Sequence, residues 1–562
     1  FILNKVKFSK TAIAIASLLV SSSALAAKYK VTELSVTPEH RQSFGIANND
    51  VGDVLSLARE GINYPFYFDD TFVNNSATLH TNCGVSQEEL DNQLLDGSSA
   101  DCVVSQLGDT SSSYFYNPIY QKIGDDKTAY FGVNWDTGVI NIADVESEEL
   151  NDFTRSNIEQ LKEVNNASKA VGTITAPYTK QTFIIGTDDS STTFEFFARE
   201  HDERAVVVTD GNVTILEPSF TDYGGKSFAN DISDSGFVAG YESIGIYGVF
   251  DDEIDATCTG ETYPANICQW SYTVQEDIYQ MRAVIWQIGD DNQVIGKQNY
   301  GLAFSPTETQ SLNYRSYASA VNDEGIAVGY GSVPFTTTSS SASDKPLLFI
   351  NGAVEEVLEN NDDYDRGYAI DINNSNIVVG KVQTYLDSQY NDKMFVYDIS
   401  SKTFELPTIF YKGSRTTANA INDNGLVVGN GEYEVSNADN RRKHGYVYDV
   451  NTGTFNDLND FTSCDSTLEI VDAVDINNND EIVATALKTV QSIDALGNVE
   501  VDDDGNDIMV QVPVAVLLEP IAGGEIESCA EEVVKYERKG FSNSVWMISF
   551  LSIFAVIRRR FL

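Results

Sequence analysis

A basic residue recurs at a fixed distance before a repeated turn motif. It stands seven positions before the motif's Asn or Ser in five copies: Arg41, Lys226, Arg315, Arg366 and Arg415. Because equivalent positions in successive repeats point the same way, we expect these side chains to form a partial ring near a common axis. Basic side chains bind carboxylates through charge-assisted hydrogen bonds, so the spacing predicts an anion or carboxylate-ligand site at one mouth of a channel. The alternative is structural: each basic side chain would pair with an Asp of the neighbouring repeat.

Three aspartates form a second candidate site, for a metal ion. Asp502, Asp504 and Asp507 cluster around Gly505, and clustered carboxylates next to a glycine suit a hard cation such as calcium. The spacing departs from the regular calcium-loop pattern and lacks its distal glutamate, so a solvated acidic hairpin tip is the alternative. We expect no other cofactor.

The chain carries no recognisable catalytic motif. It contains neither G-x-S-x-G nor H-E-x-x-H, and a phosphate-loop match at Lys226 fails because Phe220 stands where the first glycine should be. Only four histidines are present, which leaves few candidates for a histidine-based triad or metal site. No catalytic residue is assigned, although 84 acidic residues offer many carboxylate pairs that could cleave glycosides.

Seven copies of one motif must position these residues. Close copies end at Gly240, Gly329, Gly380 and Gly429, and weaker copies lie near residues 46–56, 164–172 and 475–484. Each reads as a strand, a turn of Asn, Asp and Gly, and a β-branched return strand, followed by a second hairpin. Four antiparallel strands in about 50 residues are typical of a propeller blade.

The fold that these repeats predict is an all-β β-propeller. The repeats predict seven four-stranded blades, with six or eight blades as alternatives. We expect the segment from Tyr29 to Val36 to complete the last blade, since that pairing leaves no open edge. Residues 27–530 would form the propeller, and loop insertions at 57–127 and 251–275 would interrupt its first and third blades.

The six cysteines predict disulfides, because their number is even and an export signal precedes them. Sequence does not fix the connectivity. Nearest-neighbour pairing gives Cys83–Cys102 and Cys258–Cys268, which would brace the two insertions, and Cys464–Cys529, which would bracket the last blade.

Both ends of the chain are typical of targeting segments. Residues 1–26 are typical of a secretory signal, with three lysines, an apolar stretch and an A-x-A cleavage site. Residues 531–544 read as a linker, and 545–562 as a hydrophobic tail that ends in an arginine cluster. Its apolar stretch, Val545 to Ile557, is short of the roughly 20 residues of an ordinary bilayer span. Two interpretations of this tail stay open, a sorting signal and a plain membrane anchor. We expect an exported protein in the periplasm, at the cell surface or outside the cell.

The net charge is −48. Such a surface repels phosphates and anionic lipids, so nucleic acid is excluded as a partner, and the membrane is a partner only through the tail. A solvated, self-repelling surface is expected of a soluble monomer, and direct binding of cations is the alternative.

The motif A-x-x-I-N-D-x-G-x-V-V-G resembles the repeat of the HAF family of probable extracellular bacterial proteins. Combined with the export signal and arginine-rich tail, it resembles an uncharacterised family of secreted proteins of marine gammaproteobacteria, a domain of unknown function. The tail itself resembles bacterial C-terminal sorting signals. The resemblance covers roughly residues 28–530 and implies fold and export; it implies no activity and transfers no site residue.

These observations favour a secreted or surface-retained binding protein without evident catalysis. Its ligand would be a polysaccharide or an envelope protein, held by loops on a rigid scaffold. The alternative is a carbohydrate-active hydrolase or lyase that uses carboxylates at the channel mouth.

Overall fold

The computed structural model describes most of the chain between Lys28 and Gly524. The described ranges are 28–34, 40–62, 79–92, 94–107, 123–147, 152–153, 158–177, 179–185, 192–258, 268–269, 272, 278–306, 313–335, 341–358, 364–386, 389–435 and 441–524. The predicted signal, linker and C-terminal tail lie outside these ranges. Among the helices inside them, none has the length and apolar character that crossing a bilayer requires.

Antiparallel strands make up most of the described chain. They form five separate four-stranded sheets, one eight-stranded sheet and two small two-stranded sheets. The eight-stranded sheet divides into two groups of four strands, which a short parallel bridge between residues 126–127 and 158–159 joins. We call the seven resulting groups of four strands units 1 to 7.

The strands follow in chain order, with the units that they form. The first strands are β1 (Tyr29–Glu33); in unit 1, β2 (His40–Asn48), β3 (Val54–Ile62), β4 (Ile123–Phe131) and β5 (Gly138–Val139); the separate pair β6 (Glu146–Ser147) and β7 (Asp152–Phe153); and in unit 2, β8 (Ile158–Val164) and β9 (Ala170–Thr175), the separate hairpin β10 (Thr179–Ile185) and β11 (Thr192–Ala198), then β12 (Glu203–Thr209) and β13 (Asn212–Leu216). Unit 3 contains β14 (Ser227–Ile232), β15 (Phe237–Ile246), β16 (Tyr279–Ile288) and β17 (Val294–Asn299); unit 4 contains β18 (Ser316–Val321), β19 (Ala327–Pro334), β20 (Ala342–Ile350) and β21 (Ala353–Glu356); and unit 5 contains β22 (Tyr364–Ile372), β23 (Ile377–Leu386), β24 (Gln389–Asp398) and β25 (Thr403–Glu405). Unit 6 contains β26 (Thr416–Ile421), β27 (Leu426–Glu432), β28 (Lys443–Asp449) and β29 (Thr454–Asp457), and unit 7 contains β30 (Leu468–Ile476), β31 (Ile482–Gln491) and β32 (Met509–Pro520), with β1 as its fourth strand.

Helical segments lie between these strands. They are α1 (Gln87–Asp91), α2 (Gly97–Leu107) and α3 (Gly248–Cys258), with short 3-10 turns at Asp222–Gly224 and Leu458–Phe461.

The repeated motif forms the turn between the first two strands of each unit. In unit 6, Asn422 N–H donates to Leu426 O, and Gly425 N–H donates to Asn422 O. The fourth residue of the turn adopts a positive φ, 82° at Gly425, a conformation in which glycine has no side chain to strain. Asn376 and Asp480 adopt it at the same place in units 5 and 7. The motif's Asn-Asp-x-Gly pattern is therefore the chemistry of this turn.

The first residue of each turn also joins its unit to the next one. Where this residue is Asn, its side-chain amide N–H donates to the backbone oxygen of the first turn residue in the neighbouring unit. The bonds run from Asn49 to Asn165 (2.8 Å), Asn165 to Ser233 (3.0 Å), Asn322 to Asn373 (3.4 Å), Asn373 to Asn422 (3.0 Å), Asn422 to Asn477 (2.9 Å) and Asn477 back to Asn49 (2.8 Å). Unit 3 has Ser233 at this position, and there Ser235 N–H donates to Asp323 Oδ1 at 2.8 Å instead. The seven turns thus form one closed circuit, which we call the turn ring.

A second set of bonds reinforces the turn ring. The backbone N–H of the second turn residue donates to the Asp or Asn side chain at the same position of the next unit. These bonds, 2.7–2.9 Å long, link Asp50 to Asn166, Asn166 to Asp234, Asp323 to Asn374, Asn374 to Asp423, Asp423 to Asn478 and Asn478 to Asp50.

The apolar core lies between neighbouring units. Separate clusters of buried side chains join units 1 and 2, 2 and 3, 3 and 4, 4 and 5, 5 and 6, 6 and 7, and 7 and 1. Between units 2 and 3, for example, Val207 and Leu216 pack with Ala229 and Trp286. Burying one such aliphatic side chain stabilises the fold by about 1.5–3 kcal/mol. Neighbouring units therefore share their cores.

The predicted completion of the last sheet by the N-terminal strand is confirmed. β1 pairs antiparallel with β32, from Tyr29 opposite Pro520 to Glu33 opposite Val516. β2 of unit 1 in turn packs against the strands of unit 7.

The insertions differ from their predicted bounds and contain helices that the all-β prediction did not include. β3 continues to Ile62 and β4 begins at Ile123, so the first insertion spans 63–122 rather than 57–127. The second begins at residue 247, where α3 replaces the predicted loop. A third insertion, the hairpin β10–β11, was not predicted.

Two of the predicted disulfides are confirmed. Cys83 bonds to Cys102, with Cα atoms 5.5 Å apart, and Cys258 bonds to Cys268, with Cα atoms 5.4 Å apart. Cys464 is disulfide-bonded as well, and its predicted partner, Cys529, lies outside the described residues. Disulfides are consistent with an oxidising compartment.

Asn373→Ala should weaken the protein by cutting the turn ring at one point. The side chain is buried, donates to Asn422 O and accepts from the N–H groups of Ser375 and Ile377. Leaving these groups unpaired should lower the free energy of unfolding by about 1–3 kcal/mol. Denaturant unfolding measures the loss, with exposed Asn299→Ala as the control. An equal loss in both variants would contradict a bracing role for the ring.

Candidate functional site

The five predicted basic residues do not form one ring of ligand-binding groups. Arg41 donates to the backbone oxygen of Asp494, a residue of the β31–β32 connection. The side chain of Lys226 is buried and pairs with Asp202 at 3.1 Å and with Glu203 at 2.5 Å, both from unit 2. For Lys226, the structural alternative of a pair with the neighbouring repeat is therefore the observed arrangement.

Two other basic residues pair within their own unit. Arg315 lies 3.3 Å from Asp344 and Arg415 lies 4.0 Å from Glu432.

Arg41 does not share the predicted spacing, because the turn of unit 1 begins at Asn49, whose N–H donates to Asp53 O. Arg41 therefore stands eight positions before its turn, not seven.

Arg366 differs from the other four. Within the part of the chain that the structure describes, this exposed guanidinium has no ion-pair partner. It lines a cavity of about 540 Å³ together with Arg315, Asp344, Tyr314, Tyr368 and Phe335. The structure thus brings Arg315 and Arg366 together, at the junction of units 4 and 5, and leaves the other three basic residues elsewhere.

The wall of this cavity is braced from unit 3. The backbone oxygen of Tyr314 accepts a hydrogen bond from Arg282 at 2.7 Å and another from the Tyr247 hydroxyl at 3.2 Å. The Arg315 guanidinium lies 5.4 Å from the centre of the Tyr317 ring, within cation–π range. These contacts hold the Arg315 side of the cavity in place without a ligand.

A row of aromatic rings leads away from the cavity. Ring centres are separated by 4.8 Å from Tyr368 to Tyr330, 5.2 Å from Tyr330 to Tyr317, 4.1 Å from Tyr317 to Tyr241 and 4.4 Å from Tyr241 to Phe228. We call these five residues the aromatic row. It crosses units 5, 4 and 3, and three of its members also line the space that the first strands of the units enclose.

The contacts of the aromatic row join three units, although its positions exist in every repeat and Phe44 holds one of them in unit 1. The cross-strand pairs Phe228–Tyr241 and Tyr317–Tyr330 are matched in unit 6 by Thr417–Asn430 and in unit 7 by Asp472–Thr485. A feature that the fold itself required would recur in these units, as the turn ring does. The row is therefore a specialised feature of units 3 to 5, in which Tyr317 is buried and the other four rings are half-buried.

Sequence reasoning missed this row, although a signal for it was present. Phe228, Tyr317 and Tyr368 each stand five positions before the first residue of a turn, and Tyr241 and Tyr330 directly follow the motif's final glycine.

The cavity and the row lie at the end of the units opposite the turn ring. Arg315 directly precedes β18, whose other end enters the turn at Asn322. A six-residue strand is roughly 20 Å long, which is the separation of the two ends. The connections between the second and third strands of each unit lie at the same end as the cavity, and they include every insertion described above. Long loops grouped at one end of a rigid scaffold are a common setting for binding sites.

Four carboxylates line the space enclosed by the first strands. They are Glu163, Asp231, Asp371 and Asp475, each two positions before the first residue of its turn. Three of them cap the next unit: Asp231 accepts from Val321 N–H at 2.6 Å, Asp371 from Ile421 N–H at 2.7 Å and Asp475 from Asn48 N–H at 2.8 Å. We call this set the axial carboxylates, and sequence reasoning did not single them out.

Burial raises the pKa of the axial carboxylates. It raises the pKa of Asp231 to about 7 and that of Asp475 to about 6, with neighbouring carboxylates adding to the shift. For Glu163, burial and repulsion from Asp475 and Asp231 act in the same direction. Like charges held close together in a confined space disfavour ionisation of one another.

The three predicted calcium ligands lie on an exposed turn between β31 and β32. Asp502 Oδ1 accepts from Asp504 N–H at 3.0 Å and from Asn506 N–H at 2.8 Å, and Asp507 accepts from Gln491. Across the described ranges, no group of three or more His, Cys, Asp or Glu side chains is arranged to hold a metal ion. These hydrogen bonds are those of a self-contained turn, and calcium binding stays a prediction.

The fold and the site define a β-propeller-like protein with a basic and aromatic cavity at its loop-bearing end. The chain belongs to a family described as "Protein of unknown function (DUF3466)", whose model matches residues 6–560. No curated protein matches it.

Several solved structures are similar to this chain at low identity. A putative TolB from Agrobacterium tumefaciens is 12% identical, with 43% of this chain and 86% of that one covered and a TM-score of 0.24. TolB from Acinetobacter baumannii is 9% identical, with 62% and 82% covered and a TM-score of 0.26. The β-propeller domain of the Trilobed protease from Pyrococcus furiosus is 10% identical, with 61% and 89% covered and a TM-score of 0.24. These scores carry no argument about function.

Asp231→Asn should make the stability of the protein less sensitive to pH. Between pH 3.8, the ordinary pKa of this carboxyl, and about 7, its folded-state pKa, the folded protein keeps a proton that the unfolded chain has lost. The contribution of Asp231 to stability is therefore present at low pH and is lost as pH rises through this window. An Asn keeps an oxygen for Val321 N–H and carries no charge.

The measurement is denaturant unfolding of both proteins at pH 5 and pH 8. We expect the variant to lose less stability between the two than the wild type does. Asp210→Asn, at an exposed turn, is the control and should behave as the wild type. A variant with an unchanged pH response would show that Asp231 does not carry this linkage.

Proposed function

We propose that the seven units form a closed seven-bladed β-propeller, and that this propeller is an exported binding protein for a polysaccharide. The observation that carries the binding role is the cavity at units 4 and 5, where Arg315 and Arg366 face a ligand-sized space beside the aromatic row. The closed turn ring, the shared cores and the pairing of β1 with β32 support the seven-bladed count.

The composition of the cavity supports a small-molecule or chain-like ligand. Its volume, about 540 Å³, lies within the range of about 300–1,000 Å³ that is usual for ligand pockets. A stable protein partner usually buries roughly 800 Å² on each surface. This site is instead a concave cavity, which fits a sugar chain better. Aromatic side chains with an apolar face and a polar rim suit the faces and hydroxyl groups of sugar rings.

The features of the axial carboxylates support a structural role over a catalytic one. Asp231, Asp371 and Asp475 each accept a backbone N–H of the next unit, so the scaffold itself uses them. The hydrolase or lyase alternative therefore has no assigned catalytic pair, and it is tested together with binding.

Binding is tested by incubating the purified protein with a panel of soluble polysaccharides and oligosaccharides. We expect saturable binding of at least one glycan, with no shortened or unsaturated product after prolonged incubation. The double variant Arg315→Gln/Arg366→Gln should weaken that binding at least tenfold. Arg415→Gln is the matched control, because Arg415 holds the same repeat position in unit 6 and lies outside the cavity.

Two results would contradict the proposal. Release of cleaved products would favour the enzyme, and equal binding by the double variant and the control would remove the site from this cavity.

A further inference from the structure

We propose that the cavity takes a carboxylated sugar, so that the ligand is a polysaccharide containing uronate residues. This inference rests on the proposed binding function and names the chemical class of its ligand. Arg366 would bind the carboxylate, and Tyr368, the ring of the aromatic row that lines the cavity, would support the sugar ring.

The state of Arg366 supports a negative group on the ligand. The protein carries 84 acidic and 36 basic residues, so acidic partners for an arginine are abundant. Arg366 nevertheless has no ion-pair partner among the described residues and stands at a cavity. A planar guanidinium offers paired N–H donors that match the two oxygens of a carboxylate.

The charge balance of the cavity favours a single anionic group. Asp344 lies 3.3 Å from Arg315 and offsets its charge, whereas Arg366 has no ion-pair partner in the described part of the chain. One carboxylate matches this balance, whereas a phosphate cluster or a densely sulfated chain would bring more negative charge than the cavity can neutralise.

The charge of the whole protein opposes anionic ligands, and it opposes densely charged ones most. Exposed charges interact over a Debye length of about 8 Å at physiological salt. A polyanion with closely spaced charges would place several of them in the repulsive field of a −48 protein at once. A chain with one carboxylate per sugar places fewer charges there than a densely sulfated chain, and the direct contact with Arg366 offsets part of the remaining repulsion.

The aromatic row begins at the cavity and continues among half-buried rings. It starts at Tyr368, a lining residue of the cavity, and ends at Phe228 in unit 3. Neighbouring sheets pack about 10 Å apart, so a row across three units is roughly 20 Å long. Tyr317, in the middle of the row, is buried, so the ligand contact falls on Tyr368, which lines the cavity.

The test compares uronate oligosaccharides with the same oligosaccharides after methyl esterification, which removes the charge and keeps the ring. Titration calorimetry on the full protein would use oligogalacturonate, oligomannuronate and oligoguluronate. We expect at least one uronate to bind at least tenfold more tightly than its methyl ester. Arg366→Gln should remove this preference by weakening uronate binding more than ester binding, whereas Arg415→Gln should keep it.

A second variant separates the ring contacts from the charge. Tyr368→Ala should weaken binding of the uronate and the ester alike, and Tyr368→Phe should restore it, because the ring face and not the hydroxyl carries the contact. Thermal unfolding confirms that each variant is folded.

The outcomes distinguish this inference from the function on which it rests. Equal affinity for uronate and ester, or binding of neutral glycans alone, would overturn the carboxylate and leave the polysaccharide-binding function standing. The absence of binding to every form of every glycan would overturn both.

Discussion

The fold depends on a side-chain amide that reaches from one turn to the next. Asn373 illustrates the arrangement: its oxygen accepts two N–H groups of its own turn, and its nitrogen donates to the backbone of the following turn. One residue therefore shapes its own hairpin and fixes the position of the neighbouring sheet. Because the last turn bonds back to the first through Asn477 and Asn49, no unit can tilt without breaking bonds on both sides.

This dual use explains why the repeats are easiest to recognise at their turns. The positions that make the ring tolerate few side chains, since each must satisfy both a local and a neighbouring partner. Five positions before the turn, the fold makes no such demand, and side chains there range from Tyr317 and Tyr368 to Thr417 and Asp472. The turn end of each repeat therefore holds neighbouring units together, whereas side chains at the opposite end differ between repeats. The candidate site lies at that opposite end.

The sequence was sufficient to predict the strand order, the turns, the closing strand and two disulfides. These depend on local patterns such as Asn422 to Gly425, or on the shortest cysteine spacings. It did not predict α2 or α3, because isolated insertions carry no repeat against which to compare them. The basic residues were grouped by spacing, but spacing cannot say which acid lies within reach. Lys226 pairs with two acids of unit 2, whereas Arg366 has no ion-pair partner among the described residues, a difference that only the packing of neighbouring units decides.

The pairing of β1 with β32 has a further geometric consequence. Tyr29 and Pro520 lie opposite each other, at the end of unit 7 where its turn joins the ring. The polypeptide therefore enters and leaves side by side, on the side of the molecule that faces away from Arg366 and the aromatic row. A tether that continues from Tyr29 or Pro520 would therefore attach at the turn-ring end of unit 7, so that the end with the cavity and the inserted loops points away from the point of attachment.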